Sequence, residues 1–467
     1  MKKVFLIYPP SPKMNRMPRC QQPIKELVVL PPLPPLDLMY CAAIAKQNNC
    51  ECKIKDYSVE NGTDLKEDLK DFNPDIVFIN VATTTFDSDI KAFETVKSVN
   101  PDILTIASGP HFLLFNEEIL KKYPSVDLII RGEPELTFGE IVSGKSLEEI
   151  DGLTYRQNSE IKSNKDRAYN ENLDELPFPA RELVDSNLYV RPDNGEKQAI
   201  IRVGAGCPHH CFFCLATVVS GNKTRVRSPE NIIAEIRECR EKYGIENFIF
   251  WSDIFSFDKK WVHSLCKSII DSQLNIFWSA NSRVDTLDEE TVKLMYSAGC
   301  RLISMGIESG SQEILDKTGK GIKTEDAVKT VNLCKKYKIK VFAYFILGLP
   351  WETENHIRET IDFSLKLEPD YVNYYTATVF PKTKFYYYMQ ENNLGEFGGE
   401  DFYKSPYYYP CVPTHYISKE RIKELHKYAV RKFYLRPSYI LKKLSEIKSF
   451  TQFKNYFRAG LSVLFKK

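Results

Sequence analysis

The chain has 467 residues, a formal net charge of +2 and 43% hydrophobic residues. Its length predicts about two or three domains with real hydrophobic cores. Its charge argues neither for nor against nucleic acid, and we expect no nucleic-acid partner. The twelve cysteines show no paired spacing, and no signal segment precedes the first strand-like run, which together predict a reducing, cytoplasmic location. No apolar run is long enough to cross a membrane.

The segment up to residue 144 alternates short apolar runs with amphipathic ones. Strand-like runs cover residues 4–8, 51–56, 75–80, 103–107 and 128–131, and helical patterns cover 36–46, 64–72, 87–98 and 116–122. This alternation predicts an α/β domain over residues 1–144, a Rossmann-like doubly wound parallel sheet with helices on both faces. Such sheets bind ligands beyond the carboxyl ends of their strands.

Small hydroxyl residues, glycines and prolines follow these strands at the edge where a ligand would bind. The four loops are Pro9-Pro10, Ala82-Thr83-Thr84-Thr85, Ser108-Gly109-Pro110-His111 and Gly132-Glu133-Pro134-Glu135. Such residues let the backbone approach a bulky ligand closely. Each loop taken alone is better explained as an ordinary strand-to-helix turn with its cap.

Residues 145–196 predict a connector between two domains. Within it, Gly152-Leu153-Thr154-Tyr155-Arg156 has the pattern of a short strand. The later stretch Asn172-Leu173-Asp174-Glu175-Leu176-Pro177-Phe178-Pro179 contains two prolines, which prevent a regular helix.

Six strand–helix units follow over residues 197–384. The strand-like runs cover 199–203, 247–251, 275–280, 301–306, 340–347 and 371–379, each before a helical pattern such as 228–243. This repetition predicts a partial (β/α)6 barrel of the TIM type, with active-site residues at the carboxyl ends of its strands. Polar groups recur at those ends, in Ser252-Asp253, Asn281-Ser282-Arg283, Gly306-Ile307-Glu308-Ser309-Gly310, Gly348-Leu349-Pro350-Trp351-Glu352 and Phe380-Pro381-Lys382-Thr383. Each of these residues is also explained by a helix cap or a salt bridge.

Three cysteines, Cys207, Cys211 and Cys214, stand just after the first of these strands, and no fourth follows before Cys239. Thiolates bind iron–sulfur clusters or zinc. A structural zinc ion is usually bound by about four protein ligands, so His209 or His210 would supply the ligand that the three cysteines lack. A [4Fe–4S] cluster on three cysteines would instead leave one iron open for a substrate or cofactor. The spacing alone leaves both interpretations open.

The cysteine motif resembles the signature of radical S-adenosylmethionine (SAM) enzymes, with Phe213 before its third cysteine and Arg202-Val203-Gly204-Ala205-Gly206 leading into it. In that family the open iron binds SAM, and electron transfer cleaves SAM to methionine and a 5′-deoxyadenosyl radical. The resemblance implies a [4Fe–4S] cluster on the three cysteines and SAM contacts from Phe213, Ser252, Asp253, Asn281, Arg283, Glu308, Ser309 and Gly348. Two residues depart from the family pattern, Ile254 in place of an acid or asparagine and Lys382 in place of glycine.

The amino-terminal loops together resemble the cobalamin-binding domain that precedes many radical SAM domains. The matching pieces are Pro9-Pro10, Gly109-Pro110-His111 and Arg131-Gly132-Glu133 followed by Glu135. The resemblance implies cobalamin contacts from Thr83, Thr84, Thr85, Ser108, Gly109, Pro110, His111, Gly132 and Glu133. No histidine precedes His111, so the lower axial histidine of many cobalamin proteins is missing, as is usual in the radical subclass. We expect His111 to shape its loop.

Residues 385–467 leave the barrel pattern and predict an aromatic-rich, basic, helical extension. Tyr386-Tyr387-Tyr388 and Tyr407-Tyr408-Tyr409 would cover the open side of the barrel or line a substrate pocket. Residues 419–467 hold 14 lysines and arginines against 3 glutamates, with helical patterns over 421–435 and 450–464. A solvated basic cap explains this charge, and the sharper hypothesis is a peripheral contact with anionic membrane lipids. Phe433-Tyr434-Leu435-Arg436-Pro437 resembles the tails of relatives that act on lipids or tetrapyrroles.

The resemblance implies a cobalamin-dependent methyltransferase that acts on an unactivated carbon of a lipid-like, tetrapyrrole or secondary-metabolite substrate. One SAM would methylate cobalamin, and a second would be cleaved at the cluster to a radical that abstracts the substrate hydrogen. Flavodoxin or ferredoxin would supply the electrons. The alternatives are a cobalamin-dependent cyclase, rearrangement or oxidation enzyme without methyl transfer. Lower alternatives are a tRNA methylthiotransferase-like enzyme and a non-catalytic cobalamin-binding protein.

Overall fold

The computed structural model describes residues 1–10, 14–17, 20–23, 32–60, 62, 64–158, 160–191, 193–395 and 412–465. Two large β-sheets organise these residues, one of seven strands in the amino-terminal part and one of six strands after it. Helices cover both sheets, and three further helices follow the second sheet.

The first sheet is covered by helices on both faces. Its elements are β1 (Lys3–Tyr8), β2 (Met14–Met17), β3 (Cys20–Pro23), α1 (Leu36–Gln47), β4 (Glu51–Asp56), α2 (Leu65–Phe72), β5 (Ile76–Asn80), α3 (Phe86–Val99), β6 (Leu104–Ser108), α4 (Phe112–Lys122), β7 (Leu128–Ile130), α5 (Pro134–Ser143), β8 (Leu153–Gln157) and β9 (Glu160–Ser163). The order is β4-β1-β5-β6-β7-β8-β9, and β2 and β3 form a separate hairpin. Along β1, Val4 and Leu6 pack into one buried cluster while Phe5 and Ile7 pack into the other. This alternation confirms the predicted doubly wound sheet.

Two features of this sheet differ from the sequence prediction. The strand predicted inside the connector is β8, which runs antiparallel to β7 and pairs with β9, a strand that was not predicted. Leu153 and Tyr155 are buried against the sheet, and their burial explains why β8 belongs to it. Helix α4 begins at Phe112 rather than at residue 116 because Phe112 is fully buried, and a kink at Phe115 interrupts its pattern. The other elements predicted for residues 1–144 are confirmed, with ends that shift by one residue.

The second sheet is a partial barrel of six parallel strands in chain order. Its elements are β10 (Gln198–Arg202), β11 (Gly204–Ala205), α6 (Ala216–Ser220), β12 (Arg225–Val226), α7 (Pro229–Tyr243), β13 (Asn247–Trp251), α8 (Lys259–Asp271), β14 (Phe277–Ser282), α9 (Glu289–Ser297), β15 (Cys300–Glu308), α10 (Gln312–Lys317), α11 (Thr324–Lys336), β16 (Lys340–Leu347), α12 (Glu354–Leu367), β17 (Tyr371–Thr376) and α13 (Lys384–Glu391). Among the described residues its edge strands β10 and β17 do not pair with each other. The predicted partial barrel is therefore confirmed as an open one.

Alternate residues of these strands separate the hydrophobic core from the interior of the barrel. On β16, Val341 and Ala343 pack in the core with the outer helices, whereas Phe342 and Tyr344 line an interior cavity. This is the period-two pattern of strands with two different faces. The inward residues therefore define the walls of the site.

Three helices complete the described chain, α14 (Lys419–Tyr434), α15 (Pro437–Ser445) and α16 (Phe450–Phe465). The Val372 N–H of β17 donates to the Tyr434 hydroxyl of α14 at 3.0 Å. The predicted helical tail is thus confirmed, and Tyr386-Tyr387-Tyr388 lies on α13. Tyr407-Tyr408-Tyr409 falls outside the described residues. Within the described part of the chain, no helix is both long enough and apolar enough to span a bilayer.

Candidate active site

A short hairpin holds the cysteine loop at the carboxyl edge of the second sheet. Strand β11 pairs with β12, and Gly206 follows β11 with a φ of +86°. A Cβ at Gly206 would lie 2.0 Å from the Lys223 carbonyl oxygen, so only glycine fits there. The Gly206 N–H donates to the Asp253 carboxylate at 2.6 Å. The loop that enters the cysteine motif is therefore fixed to the end of β13.

The three cysteines of the motif border one cavity of about 520 Å³ inside the barrel. Burial raises the pKa of the Cys211 thiol to about 11, so a thiolate at this position needs a nearby cation such as iron. His209 borders the same cavity. Among the described residues, no three His, Cys, Asp or Glu side chains, these cysteines included, lie close enough together to hold a metal ion. The donor set thus offers three soft ligands facing open space, which suits an iron–sulfur cluster with one exchangeable iron.

Five of the predicted SAM residues border this cavity, namely Phe213, Asp253, Asn281, Arg283 and Glu308. The Asn281 side-chain amide donates to the Ser252 carbonyl at 2.8 Å, and so ties the end of β14 to the end of β13. The Arg283 guanidinium makes two hydrogen bonds to the Asp285 carboxylate, at 2.8 and 2.7 Å. These contacts hold charged groups of both signs beside the cysteines, as a zwitterionic ligand such as SAM requires.

Lys320 is a member of the site that the sequence analysis missed. Its ammonium group contacts the Glu308 carboxylate and donates to the Gly306 carbonyl at 2.8 Å, and it borders the cavity. Its loop, Gly319-Lys320-Gly321, has positive φ at both glycines. The sequence feature that could have indicated Lys320 is a lysine between two glycines after a short helix. Lysines are common in loops, however, and Lys320 lies in none of the predicted strand ends.

Three predicted SAM residues do not border the cavity. Ser252 is buried with 4% of its surface exposed. Ser309 is fully buried, and its hydroxyl lies 3.0 Å from the Thr360 hydroxyl. The Gly348 N–H donates to the Glu352 carboxylate at 2.6 Å, and a Cβ there would lie 3.1 Å from Ile422. Ser309 and Gly348 thus support the turns at the ends of β15 and β16.

A second, smaller cavity of about 100 Å³ lies between the carboxyl edge of the first sheet and the barrel. Five of the predicted cobalamin residues border it, namely Ser108, Gly109, Pro110, Gly132 and Glu133. Gly109 has a φ of +143°, and a Cβ there would lie 2.1 Å from the Val81 carbonyl oxygen. A Cβ on Gly132 would meet nothing within 4 Å, so this position leaves open space for a ligand.

The other predicted cobalamin residues lie away from this cavity. Thr83, Thr84 and Thr85 form a single 3-10 turn before α3, and the Thr85 hydroxyl donates to Asp89 at 2.8 Å. His111 is 2% exposed, and its ring lies 4.4 Å from Phe86 and 5.1 Å from Phe115 between ring centroids. Burial lowers the pKa of His111 to about 3. The expectation that His111 shapes its loop agrees with this packing.

A buried polar group that sequence reasoning missed lies under the second cavity. Asp37 accepts hydrogen bonds from the Tyr8 hydroxyl and, at 2.6 Å, from the Asn80 side-chain amide. Burial raises the pKa of Asp37. The side-chain carbonyl oxygen of Asn80, Oδ1, is buried and has no hydrogen-bond partner among the described residues. A ligand rich in amide N–H groups, as the corrin side chains of cobalamin are, suits such an acceptor.

The two cavities meet at Trp251 and Asp253, which border both of them. Two ion pairs hold the sheets together beside this junction, Arg202–Glu135 and Arg225–Glu133, each with a distance of 2.6 Å. A ligand at the edge of the first sheet and a ligand beside the cysteines would therefore both lie next to Trp251 and Asp253.

Family comparisons agree with this arrangement. The model of the Radical SAM superfamily matches residues 201–364, and the model of the B12 binding domain matches residues 27–142. The chain therefore belongs to the radical SAM superfamily and carries a B12-binding domain. These two domains define its cofactors as a [4Fe–4S] cluster with SAM and cobalamin, and confirm the cofactors expected from the sequence.

Particular relatives are similar over most of the chain. The uncharacterized methyltransferase PH0819 of Pyrococcus horikoshii is 32% identical over 441 residues, 91% of this chain and 95% of the relative. The anaerobic magnesium-protoporphyrin IX monomethyl ester cyclase of Rubrivivax gelatinosus is 26% identical, over 68% of this chain and 59% of its own length. The cytidylyl-2-hydroxyethylphosphonate methyltransferase of Streptomyces wedmorensis is 25% identical, over 74% of this chain and 73% of its own length.

Two solved structures share the fold of nearly the whole chain. The radical SAM methyltransferase TsrM of Kitasatospora setae, with cobalamin and a [4Fe–4S] cluster bound, has a TM-score of 0.72 at 15% identity, over 99% of this chain and 100% of its own. The cobalamin-dependent SAM radical enzyme OxsB has a TM-score of 0.75 at 17% identity, over 99% of this chain and 72% of its own. The similarity establishes the common arrangement of the two sheets.

Proposed function

We propose that this enzyme transfers a methyl group from SAM to an unactivated carbon of a small-molecule substrate. The junction of the two cavities at Trp251 and Asp253 carries the proposal, because methyl donor, radical source and substrate must meet in one space. When bound, cobalamin supplies the methyl-carrying metal and the cluster supplies the electron that cleaves SAM. The name of the relative from Pyrococcus horikoshii, a methyltransferase, also supports methyl transfer.

The role proposed for the chain's own residues is to bind the cluster and to orient SAM. Cys207, Cys211 and Cys214 would hold the cluster at the carboxyl edge of the second sheet. The Asp285 carboxylate holds the Arg283 guanidinium in place, so Arg283 would present a fixed positive charge to the SAM carboxylate. The Glu308–Lys320 pair, 10% and 9% exposed in its side chains, offers both charges beside it. Fixed charges in a space that excludes water position a zwitterion without reorganisation during the reaction.

The proposed reaction balances with two molecules of SAM and two electrons per product. One SAM gives up its methyl group and leaves as S-adenosylhomocysteine. The other accepts one electron and is cleaved to methionine and a 5′-deoxyadenosyl radical, which leaves as 5′-deoxyadenosine after taking the substrate hydrogen. The second electron would return the methyl carrier to its reduced form for the next methyl group. The carbon–hydrogen bond of the substrate is replaced by a carbon–methyl bond. A reduced flavodoxin or ferredoxin is the class of donor expected to supply the electrons.

The test uses protein purified without oxygen, loaded with iron, sulfide and cobalamin, and incubated with reductant and SAM deuterated in its methyl group. We expect about four irons and one cobalt per chain, and formation of both S-adenosylhomocysteine and 5′-deoxyadenosine. Cys211→Ala removes a cluster ligand, so iron content and 5′-deoxyadenosine formation fall at least about tenfold. Cys52→Ala, a half-buried cysteine of the first sheet, is the matched control and leaves both unchanged.

The products separate methyl transfer from the alternative chemistry. 5′-Deoxyadenosine without S-adenosylhomocysteine would contradict methyl transfer and favour ring formation, which the cyclase relative of Rubrivivax gelatinosus represents. Iron without cobalt would leave the barrel chemistry in place and make the first sheet a substrate or partner domain.

A further inference from the structure

An apolar cleft of about 590 Å³ lies between α15 and α16, beside the base of the barrel. Its walls are apolar side chains of the two helices, including Ile440, Leu444, Phe453, Phe457, Leu461 and Leu464. Phe457 is 57% exposed and Leu444 is 52% exposed. Large apolar side chains that face one another across an open cleft are typical of a binding site for an apolar ligand.

The cleft adjoins the catalytic cavity. Asp193 and Tyr371 border both of them. Tyr371 is the first residue of β17 and Glu308 the last of β15, so the barrel cavity extends from the amino ends of the strands to the cysteine edge. The six residues of β17 span about 20 Å at roughly 3.3 Å per residue. Placed end to end at Asp193 and Tyr371, cavity and cleft mark one long path from the surface toward the cysteines.

The middle of this path is apolar and aromatic. Ile249, Leu302, Phe342, Tyr344 and Tyr375 border the barrel cavity between its two charged ends. Such walls favour an occupant that is apolar along its length. A long, narrow, apolar space of this kind fits a hydrocarbon chain.

The surroundings of the path are basic. From Ile447 to Phe465 the chain contains Lys448, Lys454 and Arg458 but no aspartate or glutamate, and Arg458 borders the cleft. At the base of the barrel, Arg301 borders the cavity, and its guanidinium donates to the backbone carbonyls of Tyr296 and Cys300. Within the described residues, no carboxylate lies within ion-pair distance of Arg301. The carboxylates nearby are already paired, Asp193 with Arg191 and Glu446 with Lys443. The remaining positive charge suits an anionic ligand.

We propose that the cleft and the barrel cavity bind one long-chain lipid anion, with its hydrocarbon chain directed toward the cysteine loop and its charged group at the basic rim. The identity of this lipid as the methylated substrate rests on the proposed function. Its binding does not, because the cleft, its position next to the cavity and the charge of its rim are independent of the reaction.

Equilibrium dialysis of the cofactor-loaded enzyme against radiolabelled palmitate tests the binding. We expect saturable binding, at least about tenfold weaker for hexanoate because the short chain buries less apolar surface, and weaker for uncharged hexadecanol. Phe457→Glu places a charge in the cleft wall and lowers palmitate affinity at least about tenfold. Val328→Glu changes another exposed apolar residue, 41% exposed on α11 and outside the cleft, and leaves the affinity unchanged. Arg458→Glu weakens palmitate but not hexadecanol.

Several outcomes would overturn the inference. The first is the absence of saturable palmitate binding, and the second is equal palmitate affinity in Phe457→Glu and the parent enzyme. The third is binding of the enzyme to phosphatidylglycerol vesicles but not to monomeric palmitate, and this result would assign the two helices to a membrane surface. Formation of S-adenosylhomocysteine and 5′-deoxyadenosine without palmitate binding would leave the proposed function and remove the lipid site. Palmitate binding without S-adenosylhomocysteine formation would keep the site and contradict methyl transfer.

Discussion

At the scale of single residues, Asn80 offers a direct test of the cobalamin cavity. Its amide group donates to Asp37 at 2.6 Å, which leaves its buried carbonyl oxygen available to a ligand. Replacing Asn80 with alanine removes that acceptor, and the loss of one hydrogen bond of about 1 to 1.5 kcal/mol weakens cobalamin binding about tenfold. The measurement is a cobalamin titration followed by absorbance. Asn48→Ala, which changes an asparagine at the end of α1, is the control, and equal affinities of the two variants would contradict the assignment.

Glu352 is a second residue with a measurable consequence. Burial raises the pKa of its carboxyl group from 4.5 to about 8, although the Gly348 and Leu349 N–H groups donate to it. A carboxyl group with a raised pKa holds its proton more tightly in the folded state, so its contribution to stability is fully present below about pH 4.5 and is lost as the pH rises through about 8. Glu352→Gln removes this titration.

The difference in stability between Glu352→Gln and the parent protein should therefore grow in favour of the variant between about pH 5 and pH 9. Urea unfolding across this range measures the difference. Parallel stability curves for the two proteins would show that Glu352 does not titrate in this interval.

At the scale of elements, the sequence predicts the strands well because their patterns are local. Periodic apolar runs such as residues 340–347 predict β16 with its observed bounds. Local patterns do not show which neighbour a strand pairs with, so β8 was placed in a connector although it joins the first sheet. They also do not show where an end residue points, because adjacent residues such as Glu308 and Ser309 turn in opposite directions. Glu308, with a φ of +69°, enters the cavity and Ser309 enters the core.

The β11–β12 hairpin yields an element-scale prediction. Gly206→Ala would place a Cβ 2.0 Å from the Lys223 carbonyl oxygen at a φ of +86°, so the hairpin must shift and displace the cysteine loop. We expect iron content after reconstitution to fall several-fold while the far-ultraviolet circular dichroism stays native. Gly244→Ala is the matched control, since Gly244 also has a positive φ of +63° but has nothing within 4 Å of its added Cβ. Equal iron contents in both variants would contradict a steric role for Gly206.

At the scale of the whole molecule, the Arg225–Glu133 ion pair is one of the two ion pairs that hold the first sheet against the barrel. The two Arg225 hydrogen bonds to Glu133 measure 3.0 and 2.6 Å, and the Arg225 side chain is only 2% exposed. Glu133→Ala leaves this cation buried without its carboxylate, which typically costs about 3 kcal/mol or more. Urea unfolding should show a free energy of unfolding that is lower by about this amount.

Two further variants show whether the stability lost in Glu133→Ala comes from the junction between the sheets. Arg225→Met combined with Glu133→Ala removes the buried charge as well, so the double variant should recover part of the lost stability. The neighbouring Glu171–Lys223 pair is 63% and 71% exposed in its side chains, and Glu171→Ala should leave the unfolding curve unchanged because water screens such pairs. If Glu133→Ala behaved like Glu171→Ala, the Arg225–Glu133 pair would contribute little, and the Arg202–Glu135 pair and apolar packing would hold the two sheets together. The placement of the two cavities at Trp251 and Asp253 would then not depend on the Arg225–Glu133 pair.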